Sequence, residues 1–465
     1  MTKAYIGYWW LPGNEKNSIP GTLTIHNNGD YILQLLDTFK NGSVIVNFRI
    51  IREFELIIGI AREEDSNYDY SFKLLNSIVV SNSLNKLTYY KLHASFILKS
   101  VSSELSGTLK FDSIILDPQF LNEWIDTSSF DLSYPNEQNN KLHDFSLRYK
   151  QPEPIILFEN QDFTLKLLTV ISYKHPTNSQ FNCSQSTFLK LEFLEQKSLT
   201  EIRETSKKIR NFFTLAIGTP IKMSRISVGW QNNKGIYFDY LWKDKFQNNF
   251  NNPMKIHNSM QMLLGYDFLK DDVNQVFQNW FDKYDDLKFT INNFFGTLYN
   301  DFLYTEDKFL NYVFGLEVYH RTKYGGFNHK NENYLKIRKD ILDQIHNKRH
   351  IQWLESRLRK HTENSLKQRL EHLFEVHNQS LNGLVNDVEK FIDNVVETRH
   401  FHVHEKVKNK ELVITDVIEL SRMTKKLRVF IQAILMFELG FDHEVINKQL
   451  HITFHNSLKF DNNND

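Results

Sequence analysis

The chain has 465 residues and sets 56 Lys or Arg against 56 Asp or Glu, so no global basic field draws nucleic acid to it and any such binding is local. Hydrophobic residues at 41% and charged residues at 24% match a globular protein and exclude disorder as its main state. The length suits two or three domains. A single cysteine, Cys183, excludes an intramolecular disulfide and a Cys-based zinc cage. No basic-then-apolar leader opens MTKAYIGYWWLPGNEKN, and the nearest candidate for a membrane span, Val429–Met436, is too short. The sequence therefore predicts a soluble, cytoplasmic protein.

Alternation marks the first half as sheet. Leu23 and Ile25 share one face of 22–26, Asn27-Asn28-Gly29-Asp30 supplies residues that tolerate positive φ, and Tyr31, Leu33 and Leu35 alternate again. That is a hairpin pattern. β-rich runs follow at 43–51, 54–61, 71–80, 87–98 and 107–116. Short strands separated by turn residues predict an antiparallel sandwich or barrel, with Trp9, Trp10 and Trp124 in its core. Asp117-Pro118 opens a predicted helix over 119–125, because proline fits a first helical turn. Strands are predicted again at 155–157, 163–173 and 188–193. From Ser198 the period becomes helical through Ile202, Ile209, Phe212, Phe213 and Leu215, with Gly218 as its stop. A last strand pair is predicted over 221–230 and 236–242, and the Asn-rich stretch 247–253 reads as a linker.

The second half carries apolar residues at helical spacing. Helices are predicted at 273–284, 288–299, 307–324, 331–348, 351–361, 365–376, 383–399 and 415–439. The clearest stripe is Leu384, Val388, Phe391, Ile392, Val395 and Val396. For the last helix, Thr415 is the predicted N-cap, Asp416 and Glu419 suit its positive end, and Gly440 stops it.

The chemistry points to the same half, where 13 of the 18 histidines lie from residue 301 onward. The segment Glu397-Thr398-Arg399-His400-Phe401-His402-Val403-His404 stands out. Arg399 follows Val395 by four residues, hence on the buried stripe, where an unpaired guanidinium is costly. Attraction to the helix C-terminus, with the charge reaching solvent, is the plainer account. His404 lies about 140° from Arg399 on a continuous helix. The two meet only if the helix ends near Arg399 and the chain turns there, as the loss of periodicity after Val407 suggests. Together they suit phosphodiester cleavage. Arginine stabilises the extra negative charge of a pentacovalent phosphorus, and histidine moves a proton at the 2′-hydroxyl or the leaving 5′-oxygen.

Other readings compete. His400, His402 and His404 alternate, and on an extended backbone they would share a face and could chelate a metal; on a helix only His400 and His404 would. The helical run before them argues against that metallo-hydrolase reading, and three surface histidines on a loop is the plainest one. Glu317 and Arg321 form an i,i+4 pair worth about 0.3–0.5 kcal/mol as an ordinary helix ion pair. Glu317 also sits at the edge of an apolar stripe, from which it could orient Arg399. Arg422, Lys425 and Lys426, with Arg428, form a basic cluster that is either a solvated face or a weak site for RNA phosphates. No GxxxxGK[ST], GxSxG or GxGxxG motif anchors ATP hydrolysis, serine hydrolysis or dinucleotide chemistry.

Arg399-x4-His404 at the end of a bundle helix resembles the R-x4–6-H signature of HEPN ribonucleases, and Glu317-Val-Tyr-His-Arg321 is similar to their E-x3-K/R element. Gly7-Tyr-Trp-Trp-Leu-Pro, Gly21-Thr-Leu and Phe111-Asp-Ser with Leu121 and Trp124 resemble the β-rich N-terminal domain of ApeA-like anti-phage proteins. The resemblance spans nearly the whole chain. It implies an abortive-infection endoribonuclease that needs no metal or other cofactor. Such an enzyme cuts RNA, tRNA above all, to leave a 2′,3′-cyclic phosphate and a 5′-hydroxyl. It further implies Arg399 and His404 as catalytic residues, Glu317, Arg321 and His400 as supporting ones, and a homodimer or higher oligomer whose motifs face each other. A phage-derived trigger is compatible with that role. One departure is His400, where the family commonly has Asn; it keeps open a noncatalytic, nucleotide-binding or dimerising HEPN sensor.

The predicted fold is therefore α+β. An antiparallel β-rich sandwich or barrel-like domain covers 1–245, with a helix near 198–217, and is read as a sensor that restrains the helical half. A helical connector covers 246–300, an all-α HEPN bundle 301–450 and a polar tail 451–465.

Overall fold

The structure is a computed structural model. It describes the chain apart from residues 1, 27, 40–43, 47–48, 52, 65, 84–88, 102–108, 134–145, 175–176, 178, 230–236, 243–255, 257, 326–331, 359–362, 406 and 459–465. The linker predicted at 247–253 and the predicted strand starts at 87 and 107 lie outside the described residues. The chain divides into two compact units, Met1–Asn274 and Gln275–Asp465.

Alternating side chains build the first unit as strands. In chain order they are β1 (Lys3–Trp10), β2 (Ile19–Ile25), β3 (Tyr31–Leu35), β4 (Val44–Val46), β5 (Arg49–Ile51), β6 (Glu53–Glu63), β7 (Asp69–Ser83) and β8 (Tyr89–Ser100). Then come β9 (Lys110–Pro118), β10 (Phe130–Ser133), β11 (Ser146–Tyr149), β12 (Ile155–Glu159), β13 (Phe163–Tyr173), β14 (Cys183–Ser198), β15 (Met223–Gly229) and β16 (Tyr237–Trp242). The antiparallel order β8–β3–β2–β1–β6–β7 returns to β8 and closes a barrel. Its interior is apolar, with Trp9, Leu23, Leu33, Ile57, Phe72, Leu74 and Leu92 among the buried residues. A Cβ at Gly59 would collide with the Trp9 ring, so glycine there lets β6 pass under the indole.

β8 belongs to two structures at once. Its first half pairs with β3, as in Leu33↔Leu92, and its second half with β16, as in Tyr240↔Leu98. From β16 the sheet continues through β15, β9, β14 and β13 to β12. The β-rich half is thus a closed barrel with an open antiparallel extension.

Two helices brace that extension. α1 (Leu121–Ile125) follows β9, and α2 (Leu199–Ile217) packs on β9 and β14. Pro118 ends β9 rather than opening α1, whose N-cap is Phe120. Ser198 and Glu201 form a reciprocal capping box at the start of α2, and Gly218 ends it with φ 83°, a left-handed conformation that glycine takes without penalty. Trp124 is fully buried; its Nε1 donates to the Leu264 carbonyl at 2.7 Å, and its ring meets Phe213 edge-on. The segment around 259–264 therefore returns to this unit, where Ser259 also bonds Asp126.

The remaining helices are α3 (Tyr266–Leu269), α4 (Val273–Tyr284), α5 (Lys288–Leu298), α6 (Thr305–Tyr324), α7 (Glu332–Asp343) and α8 (Lys348–Leu358). They are followed by α9 (Leu366–Leu381), α10 (Val388–His404), α11 (Val417–Leu439) and α12 (His443–Leu458). In the second unit α6 packs against α5 and α11, while α9 packs against α10 and α12. Several boundaries differ from the sequence reading; α10, predicted from 383, starts at Val388, and α9, predicted to end at 376, runs to Leu381. The predicted helix 331–348 stops at Asp343 and a new one starts at Lys348, with the Asn347 side chain accepting from the Arg349 amide at the break. Asp416, not Thr415, caps α11, accepting from the amides of Ile418 and Glu419. The start of the predicted tail, 451–458, is helical, because Ile446 and Leu450 anchor α12 in the core.

A polar layer crosses this apolar bundle. Glu438 of α11 is buried, yet it accepts from Tyr319 at 2.7 Å and pairs with Lys323 at 2.9 Å and Lys283 at 3.1 Å. Burial alone would raise its pKa; these donors hold it below the usual carboxylate value. His320 is buried beside Arg369, which donates to its Nδ1, so its Nε2–H faces His372 Nδ1 at 3.2 Å. His377 sits at a kink in α9, fully buried, with no hydrogen bond to either ring nitrogen among the described residues.

Burial first, then Arg369 and His372, lower the His320 pKa to about 4; burial and then His443 lower that of His377 to about 4, against the pull of Glu438. Both folded values lie below the unfolded value, so below about pH 6.5 the unfolded chain binds protons that the folded chain refuses. The stability of the bundle is expected to be complete above pH 6.5 and to fall toward pH 4. Two such protons give a slope of up to about 2.7 kcal/mol per pH unit. Urea midpoints at pH 7, 6 and 5 measure this, and His377→Phe should flatten the slope by about half.

Candidate functional site

α10 carries the residues that the sequence singled out. Asp387 caps its start, Ile392, Val395 and Val396 bury its inner stripe, and the helix runs on through His404 before Glu405 turns the chain with φ 54°. The turn thus comes six residues after Arg399. The expected helix end near Arg399 is not found, because the residues after it keep helical geometry until Glu405. On this continuous helix Arg399 and His404 point about 140° apart.

The same helix separates the three histidines. His400 and His404, one turn apart, bring their ring centroids to 6.5 Å, whereas His402 turns the other way and lies 6.4 Å from Phe309 of α6. The alternating pattern does not become a three-nitrogen cluster. Among the described residues no group of three or more His, Cys, Asp or Glu could hold a metal ion.

What gathers around His400 is charge. The ring is half-buried, and burial, then Arg399, His404 and Lys408, push its pKa down against the pull of Glu397. An imidazole whose pKa lies below the ordinary histidine value therefore stands beside a guanidinium and a second imidazole. Arg399 is half-buried and, among the described residues, makes no ion pair. His404 is exposed at the helix end.

Two residues beside Arg399 hold this end of the helix in place. The buried Glu397 carboxylate accepts from the Lys408 amide at 2.9 Å and more weakly from that of Asn409; Thr398 Oγ1 accepts from the Ile414 amide at 3.0 Å. The chain after α10 is thereby folded back against the turn that bears Arg399 and His400. The sequence carried a faint signal of this: two polar residues interrupt the apolar stripe directly after Val396, where only a polar partner elsewhere in the chain makes their burial affordable.

The supporting pair lies elsewhere on α6. Glu317 bonds Arg321 at 3.2 Å as the ordinary i,i+4 pair, and both charges face the buried Arg369 of α9. Among the described residues Glu317 makes no bond to Arg399. On α11, Arg422 and Lys425 are exposed and Lys426 is half-buried on one face; Arg428 turns inward beside Tyr312. The predicted cluster therefore consists of three cations, not four.

Family models match both halves. The model of ApeA N-terminal domain 1 covers residues 4–280, and that of the ApeA-like HEPN domain covers 310–445, a span that runs from within α6 to the start of α12. Comparison with curated proteins and with solved structures finds no match. No helix among the described residues is long and apolar enough to cross a membrane. The β-rich half, the helical half and the two matches agree, and the chain belongs to the ApeA family, its helical half being an ApeA-like HEPN domain.

Proposed function

We propose that this protein is an anti-phage endoribonuclease of the metal-independent HEPN type. The observation that carries the reading is the end of α10: an arginine with no ion pair among the described residues, a half-buried His400 beside it and an exposed His404, all within the span of the HEPN match. HEPN domains are generally ribonucleases, which favours this over a purely structural bundle.

The chemistry follows from the groups. The Arg399 guanidinium donates two parallel hydrogen bonds to non-bridging oxygens of the scissile phosphate and stabilises the charge that builds there. An imidazole takes the proton of the ribose 2′-hydroxyl; the 2′-oxygen bonds to phosphorus, the bond to the 5′-oxygen breaks, and that oxygen takes up a proton. The products are a 2′,3′-cyclic phosphate and a 5′-hydroxyl. His404 is the acid/base, and His400 is a supporting residue one turn from it.

One helix does not aim Arg399 and His404 at a single phosphorus. The reading therefore includes a homodimer in which the helix ends of two copies face each other, so that the arginine of one works with the histidine of the other. We take tRNA as the substrate, Arg422, Lys425 and Lys426 as weak phosphate contacts, and a phage-derived molecule sensed by the β-rich half as the trigger.

Incubating total tRNA with the full chain and EDTA tests the proposal. The expected result is cleavage that persists in EDTA and gives fragments that polynucleotide kinase labels at the 5′ end without prior phosphatase. Cleavage abolished by EDTA would return the metallo-hydrolase reading. Absence of cleavage in cells under phage challenge would leave the noncatalytic sensor.

A further inference from the structure

Between α6 and α9 stands a hairpin that the proposed chemistry does not use. α7 and α8 pack on each other through half-buried residues that include Leu342, Ile351, Leu354 and Leu358, with Arg338 and Glu355 paired at 3.7 Å across the seam. No described residue of either helix is buried. Such a hairpin gains little from its own core, so its sequence is free to answer to something outside it.

Its outer face has a definite chemistry. Arg349, Trp353 and Arg357 follow one another at intervals of four, which on a helix makes a single stripe. The stripe lies well over 90° around α8 from the seam. All three are exposed, Trp353 at 62%, and the Arg357 guanidinium lies 5.8 Å from the indole centroid. The hairpin carries six Lys or Arg against four Asp or Glu between 332 and 358, in a chain whose net charge is zero. A wide aromatic ring left in water between two cations is the arrangement that takes an unpaired base on the ring and its flanking phosphates on the guanidinium groups.

We infer that the Arg349–Trp353–Arg357 stripe of α8 grips a single-stranded stretch of the RNA substrate, away from the cleavage site. This rests on the ribonuclease reading for the identity of the partner. The charge excess favours a polyanion over a second copy of this chain, whose overall charge is balanced. Position adds a further requirement. The hairpin leaves the bundle after Tyr324, at the end of α6 opposite Phe309, on which His402 packs. Fifteen residues of helix separate those two points by about 20 Å. An RNA that touches both must be longer than a few nucleotides, so the grip should act on a folded or extended RNA and not on a short oligonucleotide.

The test uses the full chain. Binding of a fluorescein-labelled, mixed-sequence single-stranded 20-nucleotide RNA is measured by anisotropy on a His404→Ala background. Trp353→Ala is expected to weaken it about tenfold, and Trp353→Phe, which keeps a stacking ring, only about twofold. Removing both Arg349 and Arg357 should lower the slope of log affinity against log salt by about 1.4. In the active chain Trp353→Ala should raise KM for tRNA with kcat unchanged and leave a hexanucleotide unaffected. Unchanged RNA affinity in Trp353→Ala, a change in its sedimentation state, or Trp353-dependent binding to phosphatidylserine vesicles but not RNA would each overturn the inference. Trp353-dependent RNA binding without any cleavage would sink the ribonuclease reading and leave the grip standing; cleavage with KM unmoved would do the reverse.

Discussion

Arg399→Ala is expected to reduce RNA cleavage by roughly 10²–10³-fold while leaving the thermal midpoint within a degree or two of wild type. The fall follows from removing donors aimed at charge that develops only in the transition state. The unchanged stability follows from the surroundings: among the described residues the guanidinium holds no carboxylate, so its loss leaves no buried charge unpaired. His404→Ala should cost roughly 10²–10⁴-fold for loss of proton transfer. It too should leave the fold intact, since His404 is exposed at the last turn of α10.

Mixing the two inactive variants is the sharper experiment. If the arginine of one copy serves the histidine of the other, a mixed dimer regains one intact site. A co-refolded mixture should then recover roughly a quarter of wild-type activity. A mixture as inactive as its components would place both groups in one chain and contradict the separation that the continuous helix imposes.

The second large effect is on stability. Trp124→Ala should lower the unfolding free energy of the β-rich half by about 4 kcal/mol. The indole is fully buried, meets Phe213 and Tyr266, and donates to the Leu264 carbonyl. Alanine leaves a cavity between α1 and α2 and a carbonyl without its donor. Trp124→Phe keeps most of the ring and loses the donor, so about 1–2 kcal/mol is expected. Urea unfolding followed by circular dichroism measures both; equal losses for the two variants would show that the hydrogen bond, not the packing, carries the effect.

Much of this architecture was legible because local patterns governed it. The β2–β3 hairpin announces itself through alternating Leu23, Ile25, Leu33 and Leu35 around a turn at Gly29, and the structure pairs Leu23 with Leu33. α2 was legible at both ends from Ser198 and Gly218. Barrel closure was not, because it depends on β3 meeting β8 about 60 residues further on, in a register that neither strand encodes alone.

The site was legible as residue types and not as geometry. Arg399, His400 and His404 all lie in the last turns of α10, but Arg399 and His404 point about 140° apart. The helix outlasts Arg399, because it ends at Glu405 in a left-handed conformation with no glycine to signal the stop. Glu397 and Thr398 escaped because their partners, the amides of Lys408 and Ile414, lie in a loop that no periodicity describes.

The divided allegiance of β8 bears on how this half of the chain tolerates damage. Hydrogen bonds from Tyr31–Leu35 and from Asp239–Trp242 rest on successive stretches of the same strand. The ring and its extension thus share one strand, whose other side stays paired with β7 along both stretches. A chain cut after the ring would leave Phe96–Lys99 as a raw adhesive edge, open to any passing strand.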